Sequence, residues 1–491
     1  MKLKILLTLL IIVNSLNGQG INNKWMFGYD CCAGNYSTMT VDFSAGNFDV
    51  SVTPTQMSFS ETNSVTCDSS GNLLFYSNGV YIANALHDTM LNGAGLNPGS
   101  FTTSHAHYGL TVPQGNLVIP IPGEPTKYYL FHETADDPGA TYAAYYLYYS
   151  IIDMTLNGGL GGISQKNVVL LYDTLVTGRL TANKHANGRD WWLVSHKLFN
   201  GWMYKFLITP FGIQGPYGQD LITPRDVNFG QAVFSQQGNK FAYYETSRDL
   251  DIWDFDRCTG DFSNLIHIDI NDSMPTGGVA FSPNGRFLYV PSTDYIYQFD
   301  LSSSNVAASK ITIGVYDGTA DPNAANFYLS HLAPNGKIYI NCANSSKLMH
   351  VINSPDSSGV ACDFCQHCII LPGTNAFTMP NHPNYFLGAG VGTICDSLTN
   401  SIENIILFEN SISIYPNPAK DYFIISMPST ITTEGFLEIA NQLGKRVEFM
   451  KLSINTSFHE INTSKLEPGI YFVTIQIGQR ALDTKKIVII R

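Results

Sequence analysis

The sequence predicts an all-β protein, a β-propeller with seven blades as the best fit, followed by a small C-terminal immunoglobulin-like β-sandwich. Three observations predict it. Hairpins carrying one turn signature recur about every fifty residues through the middle of the chain. The composition is rich in strand and turn formers, with 12% aromatic residues, 42 Gly and only 13% charged residues. Beyond about residue 396 the pattern changes, and a second run of short alternating strands begins.

The first element is a predicted signal peptide, residues 1–18. Lys2 and Lys4 supply a positive start, and Ile5 through Val13 form an apolar run broken by Thr8. Small and polar residues follow, with Gln19 the expected first mature residue. The run is too short to span a bilayer, which takes about 20 apolar residues. No later segment is apolar enough for a transmembrane helix.

Residues 19–395 are the predicted propeller. Ala232–Tyr244, Val279–Val290 and Ser330–Ile340 each read as strand, tight turn, strand, with turn glycines at Gly238, Gly285 and Gly336. Glycine suits these turns because it accepts positive φ without steric penalty. Weaker copies turn at Gly71, Gly123 and Gly188. One small sheet cannot cover both its faces, so such units stack radially. Six hairpins are visible. The seventh blade is expected to be shared between Trp25–Val50 and the segment near Phe377–Gly388. Six or eight blades remain compatible with the pattern.

Residues 396–410 read as a linker and 411–491 as the second unit. Ser411–Tyr415, Asp421–Ile425, Phe436–Ala440, Val447–Phe449, Ile470–Ile475 and Lys486–Ile490 alternate as strands of a sandwich. Four motifs stand in order here: Ile414-Tyr415-Pro416-Asn417-Pro418-Ala419-Lys420-Asp421, Leu443-Gly444-Lys445, Leu466-Glu-Pro-Gly469-Ile-Tyr471, and Lys485-Lys486-Ile-Val-Ile-Ile490. This unit resembles the type A C-terminal sorting domain of the type IX secretion system of Bacteroidota. The resemblance implies recognition by the translocon, removal by a sorting peptidase, and a mature protein that is secreted or held on the outer cell surface. It places the sorting motif at Tyr415, Pro416, Asn417, Pro418, Gly469, Tyr471, Lys485 and Lys486. The central region resembles propeller proteins commonly fused to this domain, through Gly71–Tyr76, His185–Trp192, Met379–Tyr385, Gly388 and Cys395-Asp396. That family brings no assigned activity.

Composition and motifs bound the chemistry. A net charge of −12 with no basic patch excludes a nucleic-acid partner. There is no Gly-x-Ser-x-Gly elbow, phosphate-cradling loop or His-Glu-x-x-His helix, so no catalytic residue is assigned, and no metal or cofactor is expected. Nine Cys in an exported chain point to disulfides, with Cys362 and Cys395 a candidate pair. Cys362, Cys365, His367 and Cys368 also have spacing that a metal would accept, but oxidation competes with metal loading outside the cell. His105, His107, His185 and His331 each sit near a blade's first hairpin. They are candidate ligand-binding residues if they meet at the mouth of the central channel, and hydrogen-bonded loop or core residues if they do not. Asp249, Asp251, Asp254 and Asp256, with Arg248 and Arg257, form an acidic cluster that either binds or closes turns. The leading expectation is a non-catalytic binding protein for a protein or glycan ligand. The alternatives are a secreted propeller hydrolase or lyase using channel-mouth residues, with or without a divalent cation, and a structural component of the cell surface.

Overall fold

The structure is a computed structural model. It describes residues 20–29, 37–137, 139, 141–226, 229–272, 274–390, 392–393, 395, 413–426, 435–442, 445–452, 458–477 and 480–490. The predicted signal peptide and linker lie outside the described residues, as do Cys31 and Cys32. The chain divides into two compact units, Met1–Leu398 and Thr399–Arg491.

In the first unit the strands form antiparallel sheets in simple sequence order. Blades 4 to 7 each have four strands, opening at Thr181–Lys184, Gly230–Phe234, Ala280–Phe281 and Phe327–Leu332. Blades 2 and 3, opening at Ser64–Cys67 and Asn116–Pro120, are joined at their outer edges into one eight-stranded sheet. The join is a parallel pairing of Leu91 with Gly162. Blade 1 has three strands, Lys24–Phe27, Met39–Asp42 and Asp49–Val52.

Period-two alternation explains why these sheets stack. In Lys240–Glu245, Phe241 and Tyr243 pack with blade 4 residues such as Trp192 and Val194, while Ala242 and Tyr244 pack with Val279 and Leu288 of blade 6. Both faces of a middle strand are therefore buried, and its sequence reads as a continuous apolar run. The outermost strand Phe262–Ile268 is buried at its two ends and exposed between them. Apolar clusters of this kind fill the seven interfaces between successive blades, from blades 1 and 2 round to blades 7 and 1. The last of them, Trp25, Phe27 and Phe43 against Tyr328, Tyr339 and Met349, closes the ring.

Residues 376–386 take the place of blade 1's missing inner strand. Thr378 Oγ1 donates to Glu61 O (2.9 Å), Asn381 N to Asn63 O (3.2 Å) and His382 Nε2 to Val65 O (2.8 Å). Met379 packs among Trp25, Tyr328 and Leu329. The ring is thus joined by segments from both ends of its unit, as the sequence pattern predicts.

The second unit packs a three-stranded sheet against a four-stranded one. Phe423, Ile425 and Ile461 of the first meet Leu437, Ile439, Val473, Ile475 and Ile487 of the second in one core. No helix among the described residues is long and apolar enough to cross a membrane.

Candidate functional site

The central channel is not an open pore, because amide side chains bridge its innermost strands. Gln114 Nε2 donates to Ala232 O (2.9 Å) and its Oε1 accepts from Ala232 N (2.8 Å). Gln231 Nε2 donates to Ser330 O (2.8 Å) and its Oε1 accepts from Val279 N (3.0 Å). Asn381 Nδ2 donates to Asn116 O (2.9 Å) and Leu180 O (2.8 Å), and its Oδ1 accepts from Gln114 (3.2 Å). Each amide offers the donor and acceptor that a further strand would supply, so blades 3 to 7 are tied across the axis. This floor separates two compartments of opposite chemistry.

On the turn side lies a pocket of about 560 Å³, within the range of small-molecule sites. Its polar lining includes Gln231, Gln236, His331, Asn381, His382 and Asn384; Phe43, Phe234, Phe281 and Phe386 supply apolar surface. No Asp, Glu, Lys or Arg is among the described residues lining it. The rings of His331 and His382 are 5.6 Å apart. Burial pushes His331 down to about 3 and His382 to about 4, so both are neutral imidazoles at physiological pH.

On the other side lies a buried ionisable cluster. In blade 5 Gly230 pairs with Glu245 at one end and Phe234 with Phe241 at the other, which sets the cluster about 13 Å from the pocket along the strand. Glu61, Glu133 and Glu245 surround Arg179, all almost fully buried. Tyr328 donates its hydroxyl to Glu61, and Gly178 its amide to Glu133. Glu245 Oε1 accepts from Ser247 Oγ (2.8 Å) and Asp226 N (3.1 Å). Arg225 is pinned to Asp251 and lies 4.3 Å over the ring of Tyr243. Burial pushes Glu61 up to about 7, against the pull of Tyr328 and Arg179, and drives Glu133 well above its usual value.

The four histidines predicted from sequence occupy different places. His331 lines the pocket, beside Trp25 and the unpredicted His382. His185 stands in the blade 4 turn with Nε2 on Cys258 O (3.0 Å). His105 closes the short helix Ser100–Ser104, stacked on Phe101 with Nδ1 on Phe101 O (2.8 Å). His107 packs edge-on to Tyr108. These last two lie on the connection from blade 2 to blade 3, away from the pocket. The pairing of Cys362 with Cys395 is corrected. Cys395 bonds Cys258 and Cys365 bonds Cys368, while Cys362 is a buried thiol between blades 6 and 7. The chain leaving blade 1's inner segment passes over blades 4 and 5, where Arg257 holds Gly388 O, and so brings Cys395 to Cys258. His367 meets Asp317 (3.0 Å), apart from any thiol cluster.

The acidic cluster resolves into separate tasks. Asp254 pairs with Lys240 (2.7 Å), Asp256 caps the turn at Cys258 N (2.7 Å), and Asp249 accepts from Ile270 N (3.0 Å). Asp249, His267 and Asp269 stand close enough to share an ion, but both ring nitrogens of His267 already face Asp251 (2.7 Å) and Asp269 (3.1 Å).

In the second unit the sorting motif closes the sandwich. Asn417 Nδ2 donates to Lys486 O (2.9 Å) and its Oδ1 accepts from Val488 N (2.9 Å). Tyr471 is buried and donates to Glu467 O (2.9 Å). Gly469 opens a strand of the larger sheet, and Lys485 and Lys486 lie on its last strand. Residues 413–490 match the family described as secretion system C-terminal sorting domain. These residues are a type IX sorting domain. The sorting domain marks the protein as secreted or displayed on the cell surface, and as a client of the type IX machinery. Among curated proteins no sequence match is found. Solved structures similar to the chain include a candidate 6-phosphogluconolactonase from Bacteroides fragilis (11% identity, 72% of this chain and 96% of that one, TM-score 0.42). A gluconolactonase from Xanthomonas campestris is similar at 12% identity, over 65% and 94% of the chains, with TM-score 0.32. The Dos1 propeller matches at 13% identity, over 62% and 73%, with TM-score 0.35. Likeness at this level says nothing of activity; the blade order described above defines the propeller.

Proposed function

We propose that the mature protein is an exported, non-catalytic binding protein whose pocket on the turn side of the channel takes the end of a neutral glycan. The uncharged lining carries this reading. Amides and neutral imidazoles offer paired donors and acceptors to hydroxyl groups, and the phenylalanines offer faces to the C–H surface of a sugar ring. A charged ligand would lose its hydration there and meet no counter-charge. In this reading residues 1–18 are removed on export from a Bacteroidota cell, and a sorting peptidase removes the sorting domain.

The test is a neutral-glycan array followed by calorimetry on the full chain, with Ser44→Trp and Gln236→Ala as variants. Ser44 is an exposed rim residue, so tryptophan there blocks the mouth without entering the core. Binding lost in Ser44→Trp and weakened in Gln236→Ala supports the proposal; binding unchanged in both removes it. The ionisable cluster favours the second reading, a hydrolase or lyase, because buried glutamates with raised pKa values are the usual equipment of acid–base sites. Turnover of a glycan reaching the glutamate side of the floor, abolished by Glu61→Gln and unaffected by Ser44→Trp, would replace the first reading with the second.

A further inference from the structure

We propose that Arg179, on the far side of the amide floor, is the anchor of a second site that takes a carboxylate group. The guanidinium is held on one edge and empty on the other. Its backbone N donates to Pro113 O (3.0 Å) and Nη1 donates to Thr177 O (2.6 Å). Nε and Nη2 are buried and have no hydrogen-bond partner, in a residue only 5% exposed. A buried polar group left this way is costly, the more so when charged, and natural structures fill such positions. The Nε–Nη2 edge is one that a planar carboxylate meets with two parallel hydrogen bonds.

The backbone is shaped to present that edge. Arg179 has φ 61°, a conformation arginine seldom adopts. It follows Gly178, at φ 83°, where a Cβ would stand 2.0 Å from Pro113 O. Strain held in place by surrounding contacts is typical of sites where a side chain must be aimed. Further unpartnered groups lie around it: Glu133 Oε2 and the Tyr243 hydroxyl.

The charges select the ligand. The described residues include no ion pair between Arg179 and Glu61, Glu133 or Glu245, although Arg179 acts on all three through space. Asp136 faces Glu133, Asp226 faces Glu245, Arg225 is held by Asp251, and His196 is neutral beside Tyr243. Burial drives Glu133 well above the usual carboxylate range, which weakens the repulsion that an incoming anion would meet there. The three glutamates do not bring their oxygens close enough together to form a cation site. A tetrahedral dianion would carry twice the charge into the same dry surroundings, which favours a singly charged, planar group. Ionisation of Glu61 as the pH rises through about 7 places a like charge beside the ligand and weakens it.

The experiment uses the full chain in carboxylate-free buffer. Sodium acetate, sodium glucuronate and a short peptide with a free C-terminus are titrated against sodium chloride at equal ionic strength. Melting temperature and calorimetric heat are followed between pH 5.5 and 8. The expected result is a saturable rise with carboxylate that chloride does not produce, at least tenfold weaker at pH 8 than at pH 6. The arm with the highest affinity identifies the source as a free small acid, an acidic sugar or a chain end. Arg179→Gln abolishes the response, and Glu61→Gln extends it to pH 8. Equal responses to chloride and to all three carboxylates would overturn the proposal, as would retained binding in Arg179→Gln. If Arg179→Gln does not fold, Glu61→Gln decides: a pH profile identical to the parent's overturns it.

Discussion

Replacing Asn381 with leucine tests whether the amide floor holds the ring together. Asn381 is buried in the channel and donates to Asn116 O and Leu180 O at 2.9 and 2.8 Å, joining blades 3 and 4 to the segment that completes blade 1. Leucine has nearly the same shape, so the volume stays filled and no water enters to replace the lost donors. Two buried carbonyls then lose a partner at about 1–3 kcal/mol each, a destabilisation of about 4 kcal/mol overall. Asn381→Ala should cost less, because its cavity admits a water that can bridge the same carbonyls. The assay is urea unfolding of the full chain followed by tryptophan fluorescence, since Trp191 and Trp192 lie in the core beside these blades. The expected order of stability is parent, then alanine, then leucine. A loss below 1 kcal/mol in the leucine variant, or alanine being the worse of the two, would refute the bridging role.

Three further outcomes follow from the same structure. Cys258→Ser opens a loop spanning 137 residues and should lower propeller stability by about 2–5 kcal/mol; reductant should lower the parent to the same level, and a parent indifferent to reductant would count against the bond. The pH dependence has opposing parts. Burial pushes His132, His196, His331 and His350 down to about 3 and His382 to about 4, so their contribution, intact above pH 6.5, drains as the pH falls below it. Burial pushes Glu61 to about 7 and raises Glu133 and Glu245, whose contribution is full below pH 4.5 and drains as the pH rises. The histidines outnumber the glutamates, so the urea midpoint should fall from pH 6.5 to 4.5, and fall more steeply in Glu133→Gln; a midpoint that rises over that window contradicts the assignment. Finally, a chain lacking residues 413–491, expressed in a host with type IX secretion, should remain cell-associated, as read by immunoblotting of cells and medium.

Much of the architecture was legible in the linear pattern. Gly238, Gly285 and Gly336 all adopt positive φ in the turns where their spacing placed them. The apolar runs beside them became middle strands buried on both faces. The Asn-Pro-Ala-Lys and Lys-Lys-Ile-Val-Ile motifs of the second unit proved to be hydrogen-bonded to each other, through Asn417 and the strand of Lys486. The side chains that line the pocket were harder to see. His331 stands at a recognisable hairpin, whereas His382, which also lines the pocket, lies between two prolines in a stretch with no strand alternation. Its two amides, Asn381 and Asn384, both donate to distant backbone carbonyls, but two asparagines beside prolines read in sequence as an ordinary loop.

The sequence by itself determined the repeat, its turns and the tail, because these depend on periods and backbone preferences that operate over a few residues. Only the tertiary structure decided that Gln114, Gln231 and Asn381 form one floor, that Cys258 meets Cys395, and that three glutamates surround Arg179. Those groupings depend on closing a ring that brings together residues as far apart as Gln114 and Asn381, 267 positions along the chain, and on the loss of water inside it. Neither is a property of any local stretch of chain.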